Sequence, residues 1–131
     1  YDGQKTSQAF FQDAMQEYCF SFYSLGTSSG YEAFRTLSEK LCVMFPDNSD
    51  FVNNIGSYHL IAKNDYKTAY KYYNKVLKSN PGEPTAIRNG LLAARKQKNV
   101  KQEKKYLEMM LKYGNESERL QAEGRLAALK K

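Results

Sequence analysis

Residues 53–81, NNIGSYHLIAKNDYKTAYKYYNKVLKSNP, decide the fold of this chain. From Tyr66 to Leu77 the apolar residues recur every three or four positions, on one face of a 3.6-residue helix, and lysines take the other face. A second apolar face of the same period lies upstream, and Asn64 and Asp65 separate the two as break and helix cap. The stretch therefore predicts two consecutive helices joined by a short turn.

The pattern of this helix pair returns thirty-four residues later. On that shift Gly56 falls on Gly90 and Tyr73 falls on Leu107. A glycine inside a helix costs about 1 kcal/mol relative to alanine, so both glycines are predicted to be positions where two helices cross closely. Because one helix pair cannot bury its apolar face alone, a repeat of this length indicates a helical solenoid.

These residues resemble a tetratricopeptide repeat of the bacterial type. Gly56 stands in the position of the small residue at the helix crossing, Ala69 and Tyr73 form the A-x3-aromatic pair, and Pro81 is the terminator. The third copy departs from the family pattern, with Glu103 where alanine is expected. The resemblance implies an all-α, right-handed helical solenoid of about seven antiparallel helices, that is, three helix pairs and a C-terminal capping helix.

The chain is predicted to be one domain over residues 1–131, because this length is too short for two ordinary domains. Its predicted helices cover residues 7–25, 30–45, 49–62, 65–79, 84–97, 100–113 and 116–130. The predicted units are a divergent first repeat at 7–47, a second at 49–82, a third at 84–114 and the capping helix at 116–131. The sequence holds no apolar run long enough for a membrane span.

The first predicted helix, which contains AFFQDAMQEYCFSFYSL, is apolar on nearly all sides. Such a helix is either buried on two faces or exposes an apolar surface for a partner. We expect an exposed apolar contact surface around Phe10, Phe11, Phe20 and Phe22. Self-association into a homo-oligomer through this surface is one expected consequence.

The sequence carries no recognisable catalytic, cofactor-binding or metal-binding motif, so we expect neither enzyme activity nor a cofactor nor a metal site. His59, the one histidine, has no ligand or nucleophile at a useful spacing. Cys19 and Cys42 lack the paired spacing of a zinc site and are expected to be buried free thiols. The LGTSSG stretch at residues 25–30 lacks the ending of a phosphate-binding loop and is predicted to be a turn.

The net charge of +6 lies entirely in the C-terminal part. Residues 1–81 carry eight Lys and Arg against eight Asp and Glu, whereas residues 82–131 carry twelve against six. This imbalance favours an acidic partner or a solvated helix face. Nucleic acid is less favoured, because only two of the 11 tyrosines and none of the 7 phenylalanines follow residue 82 to stack on bases.

The resemblance also implies a concave groove, lined by the first helices of successive repeats, that receives an extended peptide or a partner helix. Asn54 plus thirty-four is Arg88, so these two side chains are expected to stand one above the other on the groove wall, with Tyr58 and Arg95 on the same surface. Asn and basic residues at such positions grip a terminal carboxylate in some tetratricopeptide domains, and here they would form half of such a site.

The expected function is that of a non-catalytic protein–protein interaction module. An alternative is a scaffold or oligomerisation segment of a larger protein that packs through the apolar first helix, and a basic nucleic-acid adaptor is a third. The chain begins at Tyr1 rather than Met. This start favours an exported protein of the bacterial envelope, with a cytoplasmic protein as the alternative.

Overall fold

The computed structural model describes residues 6–130, and all seven elements within that range are α-helices. They are α1 (Ser7–Ser24), α2 (Ser28–Met44), α3 (Ser49–Ala62), α4 (Tyr66–Ser79), α5 (Pro84–Gln97), α6 (Val100–Tyr113) and α7 (Glu116–Leu129). The all-α prediction is confirmed, and every predicted helix end lies within two residues of the observed one. The predicted domain also included residues 1–5 and 131, which lie outside the described residues.

Short polar turns separate the helices at the predicted positions. Asn64 adopts a left-handed conformation with φ of 50°, and the next residue, Asp65, caps α4 by accepting a hydrogen bond from the Thr68 backbone N–H at 3.2 Å. Asn115 caps α7 in a reciprocal capping box with Glu118. These local signals fix the helix starts independently of the packing.

Each helix packs against the next one along the chain, and α3 also contacts α5. Buried residues of α1, α2 and α3 form one apolar core, and a second core continues from α3 to α7. Cys19 is fully buried in the first core, whereas Cys42 is only half-buried, so the expected burial of both thiols is corrected for Cys42. Both thiols are free.

Two glycines allow the first helix of a pair to cross the second at close range. A Cβ atom added to Gly56 would lie 2.8 Å from Cε1 of Tyr73, and one added to Gly90 would overlap the ring of Tyr106. Both rings are fully buried, so neither has space to move away. The predicted crossings are therefore confirmed, but the ring at the second crossing is Tyr106 and not Leu107, the residue that the shift of thirty-four selected.

Glu103 joins the last three helices. It is 4% exposed on α6 and accepts hydrogen bonds from Arg95 Nε on α5 at 3.3 Å and from Arg125 Nε on α7 at 2.8 Å. The bond from Arg125, followed by that from Arg95, holds the pKa of the Glu103 carboxyl below its usual range. The charged residue at the position expected for alanine thus ties the capping helix to the third repeat.

Replacing Gly56 by alanine should lower the free energy of unfolding by about 1–3 kcal/mol, because the added methyl group overpacks against the buried Tyr73 ring. Gly124 is the matched control, since a Cβ there meets nothing within 4 Å. Gly124→Ala should raise the stability by about 0.4–1 kcal/mol through the better helix propensity of alanine. Urea unfolding of both variants measures these changes in the free energy of unfolding. Changes of the same sign in the two variants would contradict the close helix crossing at Gly56.

Replacing Glu103 by glutamine should cost about 1–3 kcal/mol of stability at neutral pH, nearer the lower figure because both guanidinium groups are half-exposed. A carboxyl whose pKa is lowered by folding stabilises the protein above its unfolded pKa, and that contribution disappears as the pH falls through its folded pKa. The stability difference between wild type and Glu103→Gln should therefore shrink on acidification below about pH 4.

Thermal or urea unfolding across this pH range measures the difference. Glu108→Gln, an exposed residue of the same helix, is the control and should have little effect at any pH. If the stability difference between wild type and Glu103→Gln stays constant down to the most acidic condition, the assignment of the ion pairs is contradicted.

Candidate functional site

A groove of about 360 Å³ is formed by α1, α3 and α5, with one residue of α2. It is open to solvent, and amide, hydroxyl and aromatic side chains predominate in its walls. The groove residues are Gln16, Phe20, Tyr23, Phe34, Asp50, Asn53, Asn54, Ser57, Thr85 and Asn89.

Two pairs of amide side chains set the register of α1 against α3. Asn48 Nδ2 donates to Gln12 Oε1 at 2.8 Å, and Gln16 and Asn54 exchange two hydrogen bonds of 3.1 and 2.6 Å. Because residue numbers rise together along both helices, α1 and α3 run parallel. The groove therefore has a polar end near Asp50 and an aromatic end, one turn beyond Gln16, formed by α1 and Phe34 of α2.

Asn53 lies in the wall of the groove and is 2% exposed. Its Nδ2 donates to Glu83 Oε2 at 2.8 Å, while its Oδ1 has no hydrogen-bond partner among the described residues. Glu83 also accepts from the backbone N–H groups of Thr85 and Ala86, which caps α5. The wall of the groove thus contains one buried acceptor whose hydrogen bond is not made by any of residues 6–130.

A hydroxyl and an amide line the middle of the groove. Asn89 Nδ2 donates to Ser57 Oγ at 3.3 Å, and Ser57 Oγ lies 3.0 Å from the Tyr73 hydroxyl. These bonds connect α5, α3 and α4. The groove wall is therefore tied to the same Tyr73 ring that packs on Gly56.

The potential at the polar end is negative. Asp50 lies at the rim, and partial desolvation, followed by the nearby carboxylates of Glu83 and Asp13, raises the pKa of its carboxyl above the usual range. Among the described residues that line the groove, none is Lys or Arg. A positively charged group entering this end would relieve the repulsion.

The residues predicted for a carboxylate-binding site do not share one surface. Asn54 lines the groove but is 3% exposed, and its amide is used by Gln16 and by Ser38 Oγ at 3.2 Å. Tyr58 was expected to be exposed, but only 3% of its surface is exposed. Its ring packs in the first core, and its hydroxyl donates a hydrogen bond to Glu32. The expectation of an accessible tyrosine is therefore wrong.

The two predicted arginines lie between α5 and α7, around a separate cavity of about 260 Å³. Arg88 Nε donates to Glu118 Oε2 at 2.7 Å, and Arg95 is paired with Glu103. Arg88 and Asn54 thus face different cavities, and Arg88 extends towards Glu118 of α7 with its side chain still 54% exposed. The geometric expectation that an amide and a guanidinium stand one above the other is wrong.

The four phenylalanines predicted on the first helix are all substantially exposed. Phe10 and Phe20 are each 50% exposed, Phe11 is 42% and Phe22 is 36%. They do not form one patch, because at about 100° per residue Phe11 and Phe22 lie on the opposite side of α1 from Phe20, which lines the groove, and Phe10 lies about 80° from it. The four phenylalanines are exposed, as predicted, but they do not form the single contact surface that was expected.

A separate apolar stripe runs along the outer side of α1, with residues spaced by four and three. This outer stripe consists of Phe11, Met15, Tyr18, Phe22 and Leu25. All of them except Met15, which packs against the first core, are at least 36% exposed, and Phe11 also packs against Phe45, the residue after α2, with ring centroids 6.0 Å apart. The spacing is that of the a and d positions of a coiled-coil seam.

Residues 6–130 contain few other features that would indicate a functional site. That part of the chain holds no group of three side chains able to ligate a metal ion. None of its helices is long and apolar enough to cross a membrane. His59 lies outside the groove, where it stacks on Tyr72 with ring centroids 6.0 Å apart, and burial lowers the pKa of its imidazole.

Sequence reasoning missed most of the groove, including Asn53, Ser57 and Asn89. A signal was present in the sequence, because Asn53 and Asn54 stand between the apolar residues Val52 and Ile55, and the structure buries all of positions 51 to 56. Adjacent amides in a buried helix need partners on two different sides. Their partners, Gln16 on α1 and Glu83 before α5, are thirty or more residues away and become visible only in the folded chain.

Comparison with known proteins supports the fold. The structure of the Yersinia enterocolitica type III secretion translocator chaperone SycD is similar to this one, with a TM-score of 0.73 and 18% sequence identity. The match covers 97% of this chain and 87% of SycD. No family model matches the chain, and no curated protein matches it. At this level of identity the likeness shows an all-helical fold of the same kind and nothing further.

Proposed function

We propose that this chain is a non-catalytic protein-binding module of the tetratricopeptide type, and that it holds an extended segment of its partner in the groove formed by α1, α3 and α5. The observation that carries the proposal is the buried, unpartnered Oδ1 atom of Asn53 in the wall of that groove. The Oδ1 atom is buried in the free chain, so a partner that supplies an N–H group would complete this hydrogen bond through a small movement of the groove wall.

The dimensions and chemistry of the groove suit such a segment. A cavity of about 360 Å³ holds a few residues, and its aromatic end offers Phe20 and Tyr23 as apolar contacts. The amides and hydroxyls are held by bonds between helices, so they are already oriented before a partner binds. The similarity to a chaperone supports a protein partner and a role without catalysis.

A photo-crosslinking amino acid tests this assignment. Placed at position 89, in the groove, it should give a discrete adduct with a partner protein in an extract of the native cells, and excess unmodified chain should compete for it. The same amino acid at position 67, an exposed lysine of α4, is the control and should give no such adduct. Identical adducts from both positions would contradict binding in the groove.

The outer stripe of α1 favours a second candidate, an oligomerisation segment. Its spacing of four and three presents apolar side chains along one line, which fits a helix of a second copy better than an extended peptide. Exposed apolar residues in such a line are uncommon on a monomer surface. This candidate is compatible with the groove, because the outer stripe and Phe20 lie on different sides of α1.

Analytical ultracentrifugation tests self-association. The wild-type chain should sediment as a concentration-dependent dimer, and Tyr18→Lys should shift it towards the monomer by removing apolar contact and introducing like charges into the seam. Val43→Lys is the control, because Val43 is 83% exposed on α2 and lies off the outer stripe. A wild-type chain that stays monomeric at millimolar concentration would exclude this candidate.

A further inference from the structure

We propose that the groove selects a segment with a basic side chain, bound between Asp50 and Asn53, and an apolar side chain three or four residues away, bound at the aromatic end. This inference rests on the proposed function and adds the chemistry of the bound segment. It is the reverse of the acidic ligand that the net charge of the whole chain suggests.

The orientation of the Asn53 amide is fixed by its neighbour. An ionised carboxylate only accepts hydrogen bonds, so the NH2 group of Asn53 has to face Glu83 Oε2, 2.8 Å away. The Oδ1 atom then points away from Glu83 and has no partner among residues 6–130. Only a donor satisfies it, and that excludes a carboxylate of the ligand from this position.

The charges around Asn53 favour a cationic donor over a neutral one. Glu83 already accepts from Asn53 and from two backbone N–H groups, whereas the carboxylate of Asp50 has no ion-pair partner among the described residues. The carboxylates of Glu83 and Asp13 make this end negative, and they add to partial desolvation, the larger cause, in raising the pKa of the Asp50 carboxyl. An arginine fits best, because its fork of N–H donors reaches a carboxylate and an amide oxygen together.

The register of α1 against α3 sets the distance to the apolar subsite. Gln16 lies level with Asn54, so Phe20, one turn further, lies level with residue 58 of α3. Eight residues of helix separate that level from Asp50, which is about 12 Å at 1.5 Å per residue. An extended segment covers this distance in three or four residues at about 3.3 Å each.

Phe20, Tyr23 and Phe34 form the apolar subsite. Phe20 is 50% exposed towards the groove, and the rings of Tyr23 and Phe34 pack together with centroids 4.9 Å apart. Phe34 is 1% exposed and supports Tyr23 from within the core, so a leucine or similar side chain would cover Phe20 and the exposed part of Tyr23 and remove that apolar surface from water. The two subsites differ in chemistry, so they also define a direction for the bound segment.

Nuclear magnetic resonance titration with the capped peptide acetyl-Ser-Arg-Ser-Ser-Leu-Ser-amide tests the inference. The peptide should shift the side-chain amide signals of Asn53 and Asn89 and the backbone signals of α3. Replacing its arginine by citrulline, which keeps the shape and removes the charge, should weaken binding about tenfold, and glutamate should abolish it. Replacing its leucine by glycine should weaken binding and leave the α1 aromatic signals unshifted.

Asp50→Asn should weaken binding of the arginine peptide about tenfold, because it removes the charge and keeps the shape. Asp47→Asn is the matched control, since it makes the same charge change in the turn before α3, outside the groove, and should leave the affinity unchanged. The melting temperatures of both variants should stay near that of the wild type, which shows that the fold is intact.

The outcomes separate the two levels of the proposal. Equal shifts by the arginine, citrulline and glutamate peptides in the groove would overturn the basic selectivity and keep the groove as the binding site. Shifts confined to the cavity between α5 and α7 would overturn both. No shift with the arginine peptide at its solubility limit would overturn the selectivity, and the crosslinking at position 89 then decides the groove independently.

Discussion

The close crossing of helices at Gly56 and Gly90 is the constraint on which the rest of this structure depends. Each glycine lets the ring of a buried tyrosine lie against the backbone of the preceding helix, where a methyl group has no space. The ring fills the centre of the pair, and the opposite side of the first helix remains available. In α3 that side is the wall of the groove.

The polar groups buried between the helices give the stack its register. The paired amides of Gln16 and Asn54 and the two arginine bonds of Glu103 are each satisfied across helices, as a low-dielectric interior requires. The Oδ1 atom of Asn53 is an exception in this network. Gln102 Oε1 is also unpartnered but does not line the groove, so between residues 6 and 130 only Asn53 combines an unmade hydrogen bond with a place in the groove wall.

Net charge and local charge give different expectations for a ligand. The positive excess belongs to residues 82–131, and the two arginines expected to bind a carboxylate there are occupied by Glu118 and Glu103. At short range a few partly desolvated charged groups affect a ligand more than the net charge of the chain does, because distant exposed charges are screened by salt. The polar end of the groove is accordingly acidic in a chain that is basic overall.

The sequence by itself determined the helices, their ends and the two glycine crossings, because these depend on periodicity, caps and short-range sterics that residues within one repeat supply. It also identified the exposed phenylalanines of α1. Only the tertiary structure decided which side chains are free to bind. Arg88 is occupied because α7 folds back over α5, Tyr58 is buried because α2 covers it, and Asn53 lacks a partner because Glu83 takes only one end of its amide. Each of these depends on a neighbour some thirty residues away, whose position a local pattern does not contain.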